Sequence, residues 1–199
     1  MSPKKPPLPL PTTEQARDGG IIAAMNARYL LDAAVVLADK DFCGPAVSLA
    51  VLAFEEATKG RALLGLVAVA RNPGSRYGFT DAQLRTLIYG PQHGLRHAAG
   101  LSQHLSPVSR TALATGTTPR GAEDKAALDA DLAAGEWLQR ANHLKQAGLY
   151  VNFHDDHWHN PRELKQQDWD LARGIVGPFV DEAVRQAIGN LANKQAGKL

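Results

Sequence analysis

The stretch SLAVLAFEEATKG, Ser48 to Gly60, sets two adjacent carboxylates, Glu55 and Glu56, and the ammonium of Lys59 inside a strongly apolar run. Lys59 follows Glu55 by four residues and Glu56 by three, so on a helix it can reach either carboxylate. An exposed pair of this kind contributes only about 0.3 to 0.5 kcal/mol. At 100° per residue Glu56 points almost with Leu49, Leu52, Leu63 and Val67, so it is expected to be buried or half-buried. Stripping one partner from a buried pair costs about 3 to 5 kcal/mol, so such a group usually accompanies a partner or a function. For Glu55 a plain intrahelical pair with Lys59 stands as an equal alternative.

A second cluster lies in GPQHGLRHAAGLSQH, where His93, His97 and His104 share a narrow helical stripe, with Gly100 between them and Arg96 at its flank. Imidazoles at a core margin can act as acids, bases or ligands near neutral pH. Solvated or hydrogen-bonded structural histidines are the alternative. A third set, Glu136, Arg140 and His143, shares a face with Leu132 and Ala147, a pattern equally suited to a wet, salt-bridged surface. The helical phases predict that these three clusters converge into one polar pocket, which is where helical bundles build their sites. A fourth feature, FHDDHWHNP, packs His154, Asp155, Asp156, His157 and His159 into six positions. These are metal-ligand types, but an exposed polar turn is the simpler reading, and no metal site is assigned.

The elements that must position these groups are helices. Thr12 with Gln15 forms a capping-box pattern, and Ile22, Met25, Tyr29, Ala33 and Val36 recur at helical spacing, predicting a helix from about Glu14 to Asp39. Gly44-Pro45 opens a second, alanine-rich helix to about Ala70. RNPGSRYGF is turn chemistry, and Thr80 with Gln83 caps a third helix that Gly90-Pro91 should kink or restart. Ser106 to Glu123 reads as a long polar loop with at most a helical turn. A fourth helix is expected from Lys125 to about Ala147. Asn160-Pro161 should open a last helix to about Asn193, interrupted near Gly177-Pro178. No convincing strand alternation occurs, and YVNF is at most a short extended piece. The fold class is all-α, an antiparallel helical bundle with no substantial sheet.

With 199 residues, 44% of them hydrophobic, the chain suits one core. The expected division is a Pro-rich arm over residues 1–13, one domain over 14–194 and a tail over 195–199. Lys and Arg number 22 against 20 acidic residues, a net charge of +2, which excludes a general polyanion-binding surface but leaves room for a local cleft. The single cysteine, Cys43, excludes an internal disulfide and a thiolate zinc site. No apolar leader core and no run of roughly 18 uninterrupted apolar residues is found, so a cytoplasmic protein without membrane association is expected.

The two helices reading NARYLLDAAVVLADKDFCGPAVSLAVLAFEEATKG, with Glu-Glu-x-x-Lys in the second, resemble the AbiV family of bacterial abortive-infection proteins. His93-Gly-Leu-Arg96 is similar to that family's His-x-x-Lys element. Leu149-Tyr150-Val151-Asn152, with Trp158 and Pro161 after it, is similar to its Leu-Tyr-Val-Asp stretch. The resemblance covers about residues 15 to 190. It implies a HEPN-superfamily bundle, typically a homodimer, many of whose members are metal-independent ribonucleases in antiphage defence.

Carried over position by position, the site comprises Glu55, Glu56 and Lys59 from the first motif, His93 and Arg96 from the second and Tyr150 from the third. His97 and Arg140 join as catalytic candidates, and Lys145 with Tyr150 as RNA contacts. Arg96 stands for a lysine, adding a planar fork suited to phosphate. Asn152 stands for an aspartate. Catalytic HEPN ribonucleases generally carry an arginine followed after four to six residues by a histidine, and no histidine here has that spacing. A nuclease site would be assembled from different helices.

The expectation is an antiphage effector that binds RNA, with tRNA or rRNA as candidate targets, and cuts it without a cofactor. A phage-encoded activator is a candidate partner. The alternatives are a non-catalytic module that senses a phage protein or a translation component, and a metal-dependent bundle enzyme using Glu55 or Glu56 with His93 or His97. The last lacks the Glu-x-x-His pattern of dinuclear bundles.

Overall fold

The computed structural model describes residues 9–71, 80–89, 99–100, 103, 105–115, 121–154 and 157–196. Helix α1 spans Thr13–Ala38 and α2 spans Cys43–Arg71. They are followed by α3 (Asp81–Tyr89), α4 (Pro107–Thr115) and α5 (Ala122–Leu149). A hairpin of β1 (Asn152–His154) and β2 (His157–His159) leads through a 3-10 turn (Pro161–Glu163) to α6 (Gln166–Gln195).

Both expected capping boxes form. The Thr12 amide donates to Gln15 Oε1 at 3.0 Å and the Gln15 amide to Thr12 Oγ1 at 3.3 Å. Thr80 and Gln83 do the same at 2.8 and 3.3 Å. The α1–α2 corner closes by Phe42 N–H donating to Leu37 C=O at 2.9 Å, with Asp41 left-handed at φ 61°. An aspartate tolerates that conformation better than a branched residue does.

α2 is the central element, packed against α1, α5 and α6. Its contact with α1 is built from small side chains, because Ala23, Ala24, Ala27 and Ala34 are buried on one helix and Ala46, Ala50, Ala53 and Ala57 on the other. The helices approach closely where Gly20 meets Gly60. A Cβ on Gly60 would lie 3.1 Å from the Gly20 carbonyl oxygen. On its other side α2 stacks Phe54 on Phe179 of α6, ring centroids 4.5 Å apart, beside Trp137, Leu138 and Trp169.

One feature was left open by the sequence reading, and three differ from it. The stripe Ile22, Met25, Tyr29 and Val36, which marks α1 as helical, faces outward, with exposures of 69, 49, 71 and 61%. The buried face of α1 is the small-residue one, because close packing on α2 rewards alanine and glycine there. The segment expected as a polar loop contains α4, held by Asp131 of α5, which accepts from the Ser106 amide at 2.9 Å.

Asn160-Pro161 does cap and open a turn, with Asn160 Oδ1 accepting from the Arg162 amide at 3.0 Å. That turn is 3-10, however, and Leu164 is extended before α6 begins at Gln166. Finally, α6 runs through Pro178 without interruption. Pro178 is exposed and Gly174, four residues earlier, has no side chain to clash with the ring, so the one missing N–H donor leaves a carbonyl facing water. Gly90-Pro91 lies outside the described residues.

Candidate functional site

The site is organised by the register of α2 against α5. These helices run antiparallel and touch backbone to backbone at Gly44 and Gly148, where a Cβ on Gly148 would fall 2.2 Å from both the Gly44 carbonyl oxygen and Ser48 Oγ. Ser48 Oγ donates to the carbonyls of Gly44, at 3.1 Å, and Lys145, at 2.9 Å. With the helices locked there, the Lys145 side chain runs along α2 towards its C-terminal end and meets Glu55. The Nζ–Oε1 distance is 3.0 Å, and the two side chains are 6% and 2% exposed. This charged pair is thus taken out of water between two helices whose facing sides carry the hydrogen-bonded Ser48 and otherwise small or apolar residues.

Glu56, one residue on, lives in a different setting. It is half-buried, its Oε1 sits 3.4 Å from Lys59 Nζ, and its Oε2 accepts from Asn26 Nδ2 of α1 at 3.3 Å. The side chains of Glu56 and Lys59 remain 22% and 28% exposed. Lys59 therefore pairs with Glu56, and the expected alternative of a Glu55–Lys59 pair is replaced by Glu55–Lys145.

On a third side of α2, Ala99 and Gly100 approach. A Cβ on Gly100 would lie 2.2 Å from Phe54 Cε1 and 2.6 Å from Thr58 Oγ1. Thr58 Oγ1 donates to the Phe54 carbonyl at 2.8 Å. The glycine between His93 and His104 is thus required by contact with the residues that flank Glu55 in sequence. One further cation was missed by the sequence reading. Arg61 lies over the Phe179 ring, 4.6 Å from its centroid, and Phe179 in turn stacks on Phe54.

The expected site residues fall into distinct environments. Glu55, Glu56 and Lys59 are gathered on α2. Lys145, expected to touch RNA, is 5% exposed and its ammonium faces Glu55, so in this structure it does not meet solvent. Arg140 is exposed, as are Glu136 and His143, because the buried face of α5 is that of Ala134, Leu138, Ala141, Leu144 and Lys145. Tyr150 caps α5 and is 56% exposed. His93, Arg96, His97 and His104 lie outside the described residues.

In the histidine-rich hairpin, β1 and β2 pair His154 with His157, while Asp155 and Asp156 lie outside the described residues. His159 Nδ1 sits 3.6 Å from Glu163, and its ring meets His143 edge-on at 5.9 Å. Among the described residues no three His, Cys, Asp or Glu side chains gather where they could hold one metal ion.

The Lys145–Glu55 pair was legible in principle. Lys145 stands seven residues after Leu138 and four after Ala141, in phase with the buried face of α5, which is where a lysine needs a buried anion. Glu55 was harder to place, since α2 is covered on several sides and the hydrophobic periodicity does not single out one face.

Chemically, the arrangement offers a sealed ion pair that fixes the spacing of α2 and α5. Beside it, a half-exposed carboxylate, ammonium and amide remain accessible to solvent and to a ligand.

The family model HEPN_AbiV, described as AbiV, matches residues 15–175, most of the chain. No curated protein and no solved structure matches the sequence. The match spans α1, α2 with both carboxylates, α5 with Lys145 and the first part of α6, and on it the chain belongs to the AbiV family of HEPN-type abortive-infection proteins.

Proposed function

We propose that the protein is an antiphage effector that binds RNA at the Glu56–Lys59–Asn26 face of the bundle and cleaves it without a metal, blocking translation. The observation that carries this reading is the docking of Gly100 onto Phe54 and Thr58. Gly100 stands seven, four and three residues after His93, Arg96 and His97 in sequence, and it packs on the helix that bears the two carboxylates.

In this mechanism His93 or His97 takes the proton from a ribose 2′-hydroxyl, the resulting oxyanion attacks the adjacent phosphorus, and the 5′-oxygen of the next nucleotide leaves with a proton from the imidazolium just formed or from water. The products are a 2′,3′-cyclic phosphate and a 5′-hydroxyl. Arg96 stabilises charge on the phosphorane, a task suited to a preorganised guanidinium. Glu56 orients an imidazole or cation, and Lys59 holds Glu56 in place. Glu55 and Lys145 position the helices and touch no substrate. Single-stranded or looped RNA is the favoured substrate, since its 2′-hydroxyls and base edges are accessible.

The test is incubation of total bacterial RNA with purified protein in EDTA, comparing wild type with His93→Ala. Discrete fragments ending in cyclic phosphate, and their loss in the variant, are the expected result. Fragments that survive His93→Ala and His97→Ala alike would refute the assignment of the base.

A second reading, a non-catalytic module that binds a phage or translation protein, is favoured by the burial of Glu55 and Lys145, which removes one carboxylate of the Glu-Glu-x-x-Lys motif and an expected RNA contact from any substrate. Full phage protection by folded His93→Ala and Arg96→Ala proteins would establish it.

A further inference from the structure

We propose that the cavity between the α1–α2 corner and the 3-10 turn is a binding site for a small amphipathic anion, an apolar body bearing one carboxylate or phosphate head. The cavity measures about 720 Å³, within the roughly 300 to 1,000 Å³ of small-molecule sites. Its apolar walls come from three places in the chain. Phe42 and Pro45 stand at the helix corner, Val151 follows α5, and Pro161 and Leu164 belong to the 3-10 turn and its exit. Phe42 and Val151 are 56 and 61% exposed, so large apolar side chains gather beside one cavity rather than standing singly on the surface.

The charge around these walls selects the head group. Lys40, Arg162 and Lys165 line the cavity against a single carboxylate, Asp41. Lys165 Nζ donates to the Arg162 carbonyl at 2.8 Å, whereas the side chains of Lys40 and Arg162 have no hydrogen bond or ion pair among the described residues. Cys43 and Gly44, the first residues of α2, also line the cavity. That helix end carries partial positive charge, with no acidic side chain in its first turn to offset it. Two unpaired cations, a helix N-terminus and apolar walls together complement a ligand that is anionic at one end and apolar at the other. An organic cation would meet like charge, and a neutral apolar ligand would leave the cations unmatched.

The walls are set before any ligand arrives. A Cβ on Gly44 would lie 2.3 Å from the Pro161 carbonyl oxygen, so the turn is seated directly on the start of α2, and Asn160 caps it. A preformed cavity spares the ligand the cost of ordering its site. Gly44 also touches Gly148, so the cavity adjoins the contact that sets the register of α2 and α5. Gly44 and Glu56 are twelve residues apart, about 18 Å along the helix, so the cavity is separate from the Glu56–Lys59 face. The inference stands whether or not RNA is cut.

The test is isothermal titration calorimetry of the full chain with eight-carbon probes: octanoate, octyl phosphate, 1-octanol and octylammonium. The expected result is one site per chain for octanoate, octyl phosphate or both, the pattern telling which head is taken. The alcohol and the ammonium should bind at least about tenfold more weakly, as loss of a charge-assisted contact would produce. Arg162→Glu should weaken the anionic probes at least about tenfold, and Lys125→Glu, at an exposed position on α5, should leave them unchanged. Lys40→Glu, on the helix corner, should weaken them likewise and keeps the test decisive if Arg162→Glu does not fold. Five results would each overturn the proposal: no binding of either anion, equal binding of the alcohol or the ammonium, unchanged affinity in both cavity variants, equal weakening by Lys125→Glu, or displacement of the bound anion by a short oligouridylate, which would make this surface an RNA contact.

Discussion

Glu55 and Glu56 are neighbours on one helix, yet their surroundings assign them different work. Glu55 lies between α2 and α5 with its charge matched by Lys145 at 3.0 Å, both side chains almost fully removed from solvent. Glu56 is turned 100° away, towards α1, where it shares a half-exposed cluster with Lys59 and Asn26. The same chemical pair, carboxylate and ammonium, is therefore used once as a fixed strut and once as an accessible polar face. A buried pair contributes little net stability compared with an apolar pair of equal volume, but breaking it leaves an uncompensated charge. A half-exposed pair can be altered at small cost. Motif residues that are adjacent in sequence thus need not share a role.

The largest expected effect comes from splitting the strut. Lys145→Met leaves Glu55 buried without its cation and should lower the urea-unfolding free energy by about 3 to 5 kcal/mol. Combining it with Glu55→Leu should restore most of that loss, whereas a double variant as unstable as the sum of the singles would break the comparison. Next comes the helix contact that sets the pair's register. Gly148→Ala places a methyl 2.2 Å from the Gly44 carbonyl oxygen, and it should cost about 1 to 3 kcal/mol in thermal or urea unfolding as the helices are pushed apart.

Smaller still is the effect expected on the accessible face. Lys59→Met should change stability by no more than about 1 kcal/mol. The coupling between Lys59 and Glu56, measured by a double-mutant cycle, should shrink on going from about 0.1 M to 1 M salt. The Lys145–Glu55 coupling should hardly respond to salt, since screening reaches buried pairs poorly.

How much of this was legible in the sequence depends on how each signal arises. Capping boxes at Thr12 and Thr80 are local hydrogen-bond patterns, so three-residue spacing suffices to find them, and both form. The existence of α1 follows from apolar recurrence and that of α2 from alanine-rich helix propensity, both of which are strong over long segments. Direction is another matter. Ile22, Met25, Tyr29 and Val36 mark α1 as a helix but not as a buried face, because the α1–α2 contact selects small residues and leaves the large ones outside. Pro178 suggests a break that tertiary packing overrides, with Ile175, Val176, Phe179 and Val180 buried on both sides of it.

In the site, Glu55–Lys145 joins residues ninety positions apart, and no periodicity within α2 could pair them. The phase of Lys145 on α5 was the available clue. Arg140 was placed by its shared face with His143, correctly as to the face. That face is solvated because α5 buries its alanine and leucine side instead.

The division of labour between the two carboxylates is tested most directly by measuring RNA cleavage in EDTA by Glu56→Gln under conditions where its urea midpoint matches that of wild type. The account predicts that cleavage falls at least about tenfold in a fully folded protein, as loss of a positioning charge would produce. Wild-type cleavage by folded Glu56→Gln would contradict it.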